Sequence, residues 1–313
     1  MGLTVGIDIG GTKIAGGVVD DDGNILDQQR RETPSRGPSA VVKATAELVL
    51  EFKQQHDIEA VGVGVAGFVD AKRSKVLTAP NLGWKNEPLR QGIEAEVHLP
   101  VVVENDANAA AWAEFRYGAG VGHHHMVCVT VGTGIGGGIV IAGNLYRGSH
   151  GIAAEMGHMC VEVGGRLCGC GNRGCWEQYA SGNALVREAR MLAAERRDEA
   201  DILLALGDGT PEGVSGKDIT EAAKEGDVVA LAAFDSVARW LGMGMADVWA
   251  LLDPGVFVIG GGVSEADELL LGATKRAFKQ ARTGGDSLPM PDIYLAKLGN
   301  DAGLVGAADL ARH

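Results

Sequence analysis

The sequence has 313 residues, which is long enough for two domains or one large one. Apolar residues make up 46% of the chain, so we expect a full hydrophobic core, and the net charge of −13 argues against a nucleic-acid-binding surface. The N-terminus has no signal-peptide pattern and no apolar run is long enough to span a bilayer, so the sequence predicts a cytoplasmic protein.

The first predicted element is a β-hairpin over residues 5–19, where apolar stretches flank a glycine-rich turn. The chain has 48 glycines, mostly in short clusters of this kind, which predicts turns at which the backbone approaches a ligand. Two interpretations of the hairpin remain open. Asp8 is a polar edge residue in an apolar strand, or it serves the water shell of a magnesium ion while the turn and Lys13 bind phosphate.

Strand and helix patterns then alternate up to residue 103. We predict strands over 24–33, 60–66 and 100–103, and helices over 39–56 and 87–97. Between the strand over 60–66 and the helix over 87–97, Asn81, Gly83 and Trp84 lie in a predicted exposed loop. Such a loop suits polar contacts beside an apolar wall, or it is a structural turn only.

The acidic run Glu104-Asn105-Asp106 follows the last of these strands and precedes a predicted helix over residues 107–117. An acidic residue at this point is either an ordinary helix N-cap or part of a ligand site, because ligands of open α/β sheets bind at the carboxyl ends of strands. In the second case Asp106 accepts a proton from a substrate hydroxyl and Asn105 orients that substrate.

The second half begins with a repeat of the first hairpin over residues 126–141, with Gly132, Thr133 and Gly134 at its turn. We interpret this as an internal duplication whose two glycine hairpins hold a polyphosphate from both sides. The remaining predictions are strands over 144–148 and 293–296, helices over 182–197, 219–224, 227–252 and 302–311, and a strand with a glycine turn over 256–264. That turn suits a nucleotide, or it is a plain tight connection.

Residues 155–177 begin and end with a carboxylate and contain one imidazole and a motif of three closely spaced thiols, with Cys160 nearby but off the motif's spacing. The spacing His158-x9-Cys168-x-Cys170-x4-Cys175 supplies the four ligands of a closed tetrahedral zinc site. Disulfides are rare in the cytoplasm, which favours metal over crosslinks. The alternative is a set of buried unpaired thiols.

These motifs together resemble the ROK family (repressors, open reading frames and kinases), and within it the bacterial sugar kinases. The resemblance rests on Asp8-Ile-Gly-Gly-Thr-Lys13, Glu104-Asn105-Asp106, the glycine run 132–138, Glu155-Met-Gly-His158, and the cysteine motif ending at Glu177. It covers essentially the whole chain. It implies an α/β protein with the actin-like, ribonuclease-H-like ATPase fold, in which two α/β domains hinge around a cleft.

The resemblance also implies roles for individual residues. Asp106 is the expected catalytic base, and ATP with Mg²⁺ is the expected phosphoryl donor. Residues expected to bind the sugar are Asn81, Asn105, Asp106, Glu155, His158 and Glu177. Residues expected to bind the nucleotide are Asp8, Gly10, Gly11, Thr12, Lys13, Thr133, Gly134, Gly261 and Gly262. Structural Zn²⁺ is expected on His158, Cys168, Cys170 and Cys175.

The expected function is phosphorylation of glucose at O6, a step of glycolysis, by a homo-dimer or homo-tetramer. Alternatives are a kinase for N-acetylmannosamine, N-acetylglucosamine, fructose or allose, or a sugar-responsive repressor or sensor. The chain starts at the phosphate hairpin, where a repressor would carry a helix-turn-helix extension, and this favours the kinase. We predict a small domain of residues 1–108 plus 299–313 and a large domain of residues 109–298.

Overall fold

A computed structural model describes residues 2–35, 37–263 and 268–313. Within these ranges the helices are α1 (Pro38–Lys53), α2 (Leu89–Val97), α3 (Asp106–Tyr117), α4 (Glu177–Ala180), α5 (Gly182–Glu195), α6 (Asp201–Leu206), α7 (Gly216–Lys224), α8 (Val228–Leu252), α9 (Glu268–Ala281) and α10 (Ala302–Leu310). The strands are β1 (Leu3–Ile9), β2 (Lys13–Val19), β3 (Ile25–Glu32), β4 (Ile58–Val65), β5 (Phe68–Val69), β6 (Val76–Ala79), β7 (Trp84–Glu87), β8 (Val101–Asn105), β9 (Met126–Val131), β10 (Ile135–Ile141), β11 (Asn144–Leu145), β12 (Val256–Gly260) and β13 (Asp292–Leu295).

Two five-stranded sheets have the same topology, β3-β2-β1-β4-β8 and β11-β10-β9-β12-β13. In the first, β1 pairs antiparallel with β2 and parallel with β4, which pairs parallel with β8. In the second, β10 and β11 are antiparallel and β12 and β13 are parallel. The matching order confirms the predicted α/β class, the actin-like fold and the duplicated hairpin.

A three-stranded sheet, β5-β6-β7, was not predicted. Its strands are short, and β7 ends at Glu87, where we predicted the start of a helix. That helix instead begins at Leu89. The suggestion that Trp84 forms an apolar wall in an exposed loop was wrong. Trp84 is only 3% exposed because it packs in the apolar core beneath this sheet.

By their internal contacts the residues form two compact units. The first contains residues 1–128, 137–154 and 297–313, and the second contains residues 129–136 and 155–296. This division places the boundary later than residue 108. The domain boundaries given above remain a prediction.

Helix α10 packs closely on the first sheet, and glycine makes that approach possible. A Cβ added to Gly6 would lie 2.0 Å from the carbonyl oxygen of Leu304, and one added to Gly62 would lie 1.7 Å from that of Ala307. A Cβ on Gly306 would lie 1.8 Å from the carbonyl oxygen of Ala109. Many glycines therefore serve helix packing, a use that the sequence analysis did not foresee.

Helix α8 is the longest helix described, and Asp227 caps it by accepting from the backbone N–H groups of Val229 and Ala230. By length and composition it could cross a membrane, so the expectation of no such apolar run was wrong. Its most apolar window is 56% buried, which is typical of a core helix. Helices α4 and α6 were not predicted, whereas α9 agrees with the expectation that a helix follows the glycine turn after β12. Ser264, part of the predicted glycine turn, lies outside the described residues.

Candidate active site

The turn between β1 and β2 is held in one shape by backbone hydrogen bonds. The N–H of Gly10 donates to the carbonyl oxygen of Lys13 at 2.9 Å, and the N–H of Thr33 donates to that of Thr12 at 3.0 Å. The Thr33 hydroxyl also donates to the carbonyl oxygen of Gly10 at 2.8 Å. Gly11, Thr12 and Lys13 are exposed. The turn is therefore fixed at its base while its tip is open to a ligand.

Asp8 lies in β1 just before this turn, and its environment disfavours the charged carboxylate. Burial, followed by the negative charge of Asp106, raises the pKa of Asp8 to about 6, although Lys13 acts in the opposite direction. A carboxyl group titrating near neutrality at the end of a strand is common at functional sites. The alternative of a plain polar edge residue does not account for this environment, because β1 is the central strand of its sheet.

Asn105 is the N-cap of α3, because its side-chain oxygen accepts from the N–H of Asn108 at 2.9 Å. Of residues 104–106, Asn105 is therefore the one that caps the helix. Its amide nitrogen donates to the carbonyl oxygen of Gly67 at 3.2 Å and to Asp106 Oδ1 at 3.1 Å. Asp106 Oδ1 also accepts from the N–H of Ala107 at 2.9 Å. Burial is the main cause that raises the pKa of Asp106. Asp106 is thus an oriented carboxylate that is not used as the cap.

The strand register places Asp8 and Asp106 close to one edge of the first sheet. Asp8 on β1 pairs with Gly64 on β4, and Gly64 pairs with Glu104 on β8. A Cβ added to Gly64 would lie 3.8 Å from the Cα of Asp106. The carboxyl ends of parallel strands are where ligands of such sheets bind.

Asn81 lies on a short 3-10 turn, Pro80–Leu82, beside the hairpin turn of the same unit. A Cβ added to Gly11 would lie 3.9 Å from the Cβ of Asn81. Asn81 is exposed. It is therefore available for contacts next to the glycine turn.

In the second unit, the four predicted metal ligands form one cluster. The ligand atoms of His158, Cys168, Cys170 and Cys175 all lie within 4.8 Å of one another. Cys168 Sγ is 3.6 Å from His158 Nδ1, and Cys170 Sγ is 3.6 Å from Cys175 Sγ. Ligands at the corners of a tetrahedral zinc site with Zn–S bonds of about 2.3 Å are separated by similar distances. The donor set fits zinc.

The cluster argues against the alternative of unrelated buried thiols. One of its four residues is exposed, and the ligand atoms of all four lie close together. Burial raises the pKa of the Cys168 and Cys175 thiols, whereas the backbone N–H of Asn172 lowers that of Cys170. Cys128 is buried elsewhere and Cys160 is exposed, and neither belongs to the cluster.

The predicted sugar ligands of the second unit surround this cluster. His158 Nε2, the ring nitrogen that does not face Cys168, is 3.9 Å from Glu155 Oε2. Glu177 Oε1 is 2.9 Å from Cys168 Sγ and accepts from Gln178 Nε2 at 3.3 Å. Gly134 lies next to Glu177, since a Cβ added to it would be 2.5 Å from Glu177 Oε2. Two carboxylates thus lie beside the metal-ligand cluster, one next to His158 and one next to Cys168.

A cavity of about 880 Å³ lies next to the second glycine hairpin. Thr133 and Gly262, two predicted nucleotide ligands, line it, and Gly261 adjoins it with a positive φ of 88°. A Cβ added to Gly261 would lie 2.6 Å from the carbonyl oxygen of Val131, so only glycine fits there. A cavity of this size accommodates a nucleotide-sized molecule.

The sequence analysis missed most of the wall of this cavity. The missed lining residues come from α5 and from the start of α7, and include Asn183, Val186, Ser215, Lys217, Thr220 and Glu221. The sequence did contain one recognisable pattern in this wall, at the start of α7. Ser215 and Asp218 form a capping box, which marks a helix start but does not indicate a ligand.

The predicted site residues therefore fall into two groups. Asp8, the hairpin turn 10–13, Asn81, Asn105 and Asp106 lie in the first unit. The second unit contains Thr133, Gly134, Glu155, His158, Glu177, Gly261, Gly262 and the cysteine ligands.

Comparison with known proteins gives consistent relatives over the whole chain. The model of the ROK family matches residues 4–313. A glucokinase of Streptomyces coelicolor is 53% identical over 312 residues, covering 100% of this chain and 98% of that protein. The crystal structure of a ROK family glucokinase from Streptomyces griseus in complex with glucose and AMPPNP is 53% identical, with a TM-score of 0.90 over 99% of both chains. The xylose repressor of Bacillus subtilis is 30% identical over 319 residues, covering 99% of this chain and 77% of the repressor.

Proposed function

The chain belongs to the ROK family, and from that membership we propose that it transfers the γ-phosphoryl group of ATP to the O6 hydroxyl of glucose. The observation that carries the proposal is the oriented carboxylate of Asp106 at the end of β8, beside Asn105, in a chain 53% identical to a glucokinase. A sugar kinase needs a proton acceptor within hydrogen-bonding reach of the substrate hydroxyl.

Asp106 acts as the general base in this reaction. As the O6 atom bonds to the γ-phosphorus and the bond to the ADP oxygen breaks, the O6 proton passes to the Asp106 carboxylate. The raised pKa of Asp106, caused mainly by burial, improves its match to a proton acceptor near neutral pH. Its hydrogen bonds to Asn105 and Ala107 hold the carboxylate in one orientation.

Sugar recognition falls to side chains that make paired hydrogen bonds with hydroxyl groups. In the first unit these are Asn81, Asn105 and Asp106, and in the second unit Glu155, His158 and Glu177. Carboxylates and amides suit this role because each offers two polar atoms to neighbouring hydroxyls. Since His158 Nδ1 faces the thiols, Nε2 is the ring nitrogen left for the sugar.

The two glycine hairpins contact the phosphates of ATP. Backbone amides of Gly10, Gly11 and Gly134 and the hydroxyls of Thr12 and Thr133 supply donors, and Lys13 supplies a positive charge. The 880 Å³ cavity beside Thr133 and Gly262 accepts the nucleoside, which extends the predicted contacts to Lys217, Thr220 and Glu221. Mg²⁺, with Asp8 serving its water shell, neutralises charge on the phosphates.

The His158 and cysteine cluster holds a structural zinc ion. Zinc supplies a rigid link between the segments that carry Glu155 and Glu177, and it fixes the ring of His158. Four protein ligands close the coordination sphere and leave no position for a substrate, so a structural role is favoured over a Lewis-acid role.

A coupled assay of ADP release with a panel of sugars tests the function directly. We expect kcat/KM for glucose to exceed that for N-acetylmannosamine, N-acetylglucosamine, fructose and allose by at least about tenfold. A larger value for another hexose would replace glucose as the substrate, and no turnover with any sugar would contradict the kinase assignment. Polyphosphate in place of ATP in the same assay tests the phosphoryl donor.

The similarity to the xylose repressor supports the alternative that the protein is a repressor. The net charge of −13 opposes this alternative, because DNA is itself negatively charged. A filter-binding assay with random duplex DNA at low salt distinguishes the two. The proposed enzyme is cytoplasmic and a homo-dimer or homo-tetramer. Light scattering of the purified protein would give the oligomeric state.

A further inference from the structure

Resting on the proposed function, we infer that Glu104, Arg73 and Arg147 form a buried ion-pair cluster that positions the sugar-binding residues of the first unit. None of the three is among the residues expected to touch sugar or nucleotide. Glu104 precedes Asn105 in β8, and its side chain is only 1% exposed. Its Oε2 atom lies 2.7 Å from Arg147 Nε and 3.2 Å from Arg73 Nε.

The other oxygen of Glu104 contacts the active-site segment itself. Its Oε1 atom accepts from the backbone N–H of Asn105 at 2.9 Å and from Asn108 Nδ2 at 3.3 Å. Asn108 is also the residue whose N–H is capped by the Asn105 side chain. The Glu104 carboxylate therefore fixes the backbone of Asn105 and the first turn of α3, on which Asp106 lies.

The two arginines connect Glu104 to the turn between β5 and β6. Arg147 donates through its Nη atoms to the carbonyl oxygens of Asp70 and Ala71, at 3.0 and 3.1 Å. Arg73 belongs to this turn, has a positive φ of 54°, and accepts from the N–H of Val103 at 3.0 Å through its carbonyl oxygen. The turn is thus tied to β8 by side chains and by backbone.

Two other residues in or next to the segment that forms β5 to β7 lie at the proposed sugar site. Gly67, just before β5, accepts from the side-chain amide of Asn105 at 3.2 Å. Asn81 lies on the short turn between β6 and β7. Because the ion-pair cluster joins this sheet to β8, it sets the relative positions of Asn81, Asn105 and Asp106. Such supporting contacts control the geometry of residues that bind the substrate.

The charges explain why glutamate and arginine are needed. One carboxylate lies between two guanidinium groups, of which Arg147 is 10% exposed. Glutamine at position 104 would keep the acceptor for the Asn105 N–H but would remove the negative charge that lies between the two guanidinium groups. Lysine at position 147 would keep the charge but cannot reproduce the planar guanidinium group, which pairs with Glu104 through Nε and donates hydrogen bonds to Asp70 and Ala71 through its Nη atoms.

The test compares Glu104→Gln and Arg147→Lys with Asp309→Asn. Asp309 is a matched control because it is also 1% exposed and contacts two arginines, Arg116 and Arg312, in the same unit, while its hydrogen bonds to α3 are to the second half of that helix. We measure KM for glucose and ATP, kcat, the calorimetric Kd for glucose, and Tm. We expect both test variants to raise the glucose KM and Kd about tenfold, with the ATP KM changed less than about twofold.

The control variant is expected to lower Tm without changing the glucose Kd. An unchanged glucose Kd in folded Glu104→Gln, or an equal rise in Asp309→Asn, would overturn the inference. If Glu104→Gln does not fold, the milder Arg147→Lys decides, and wild-type glucose affinity in that variant rejects the positioning role. Failure of the wild-type protein to bind or phosphorylate any sugar would instead contradict the proposed function.

Discussion

The two ring nitrogens of His158 face different partners, since Nδ1 lies 3.6 Å from Cys168 Sγ while Nε2 lies 3.9 Å from Glu155 Oε2. One imidazole therefore joins the metal-ligand cluster to a predicted sugar-binding carboxylate. When one nitrogen is bound to a metal, the tautomer of the ring is fixed and the other nitrogen carries the proton. That N–H is then a defined donor for the sugar or for Glu155.

Loss of the metal should therefore weaken sugar binding. For Cys175→Ser we expect less than one zinc per chain by elemental analysis and a glucose KM raised at least about tenfold, because changing even the partners of metal ligands has effects of this size and Cys175 is itself a proposed ligand. Cys128→Ser is the matched control, since Cys128 is buried but outside the cluster. Active wild-type protein that contains no zinc would reject the zinc assignment.

Gly134→Ala should impair sugar binding with little loss of stability. The added Cβ would lie 2.5 Å from Glu177 Oε2, so the end of this side chain must move. We expect the glucose KM to rise about tenfold while Tm changes by less than about 3 °C. Gly132→Ala is the control, because no atom lies within 4 Å of its added Cβ. Equal glucose KM values for the two variants would contradict the contact with Glu177.

Asp106→Ala should abolish turnover and leave glucose binding largely intact. Removing a general base lowers kcat by about 10²- to 10⁴-fold, whereas the other proposed sugar ligands remain. Steady-state kinetics and calorimetric titration with glucose measure the two effects separately. Asp227→Asn, at the cap of α8, controls for general destabilisation. A variant that keeps a tenth of the wild-type kcat, a barrier change of only about 1.4 kcal/mol, would rule Asp106 out as the base.

Asp8 should make the stability of the protein depend on pH between about 4 and 6. Its folded pKa is about 6 against an ordinary value of 3.8, so the folded state binds more protons than the unfolded state in this window. The free energy of unfolding therefore falls as pH rises through the window and is level above it. Asp8→Asn should stabilise the protein at pH 8 by about 1–3 kcal/mol and have little effect at pH 4.

Urea unfolding in magnesium-free buffer at several pH values checks this prediction for Asp8. The exposed Asp22→Asn serves as the control. A stabilisation by Asp8→Asn that is the same at pH 4 and pH 8 would contradict the assigned direction. The variant should also lose kinase activity at every pH, because Asp8 is proposed to serve the magnesium shell.

Local patterns were enough to predict the two hairpins, the end of β8 and the convergence of four candidate metal ligands. His158, Cys168, Cys170 and Cys175 lie within one short segment, so spacing alone could bring them together. The duplicated sheet order followed from the resemblance of the motifs. Strand ends were predicted within a few residues because β-branched runs and glycine turns mark them.

Contacts between distant segments could not be predicted in this way. Arg147 reaches Glu104 across 43 positions of sequence, and no periodicity links them. The wall of the 880 Å³ cavity joins α5, α7 and the second hairpin, and the capping box at Ser215 marks a helix start without indicating a ligand. Strands β5 to β7 were missed because they are only two to four residues long and lack an alternating pattern.

The packing of α10 has a consequence for how the protein is made. The first unit takes its last segment from residues 297–313, and α10 covers Gly6 and Gly62 in the strands that are synthesised first. During translation this unit must wait, with part of its sheet uncovered, until residues 297–313 have left the ribosome. Because Leu310 in α10 is only 2% exposed, deletion of α10 should destabilise the first unit.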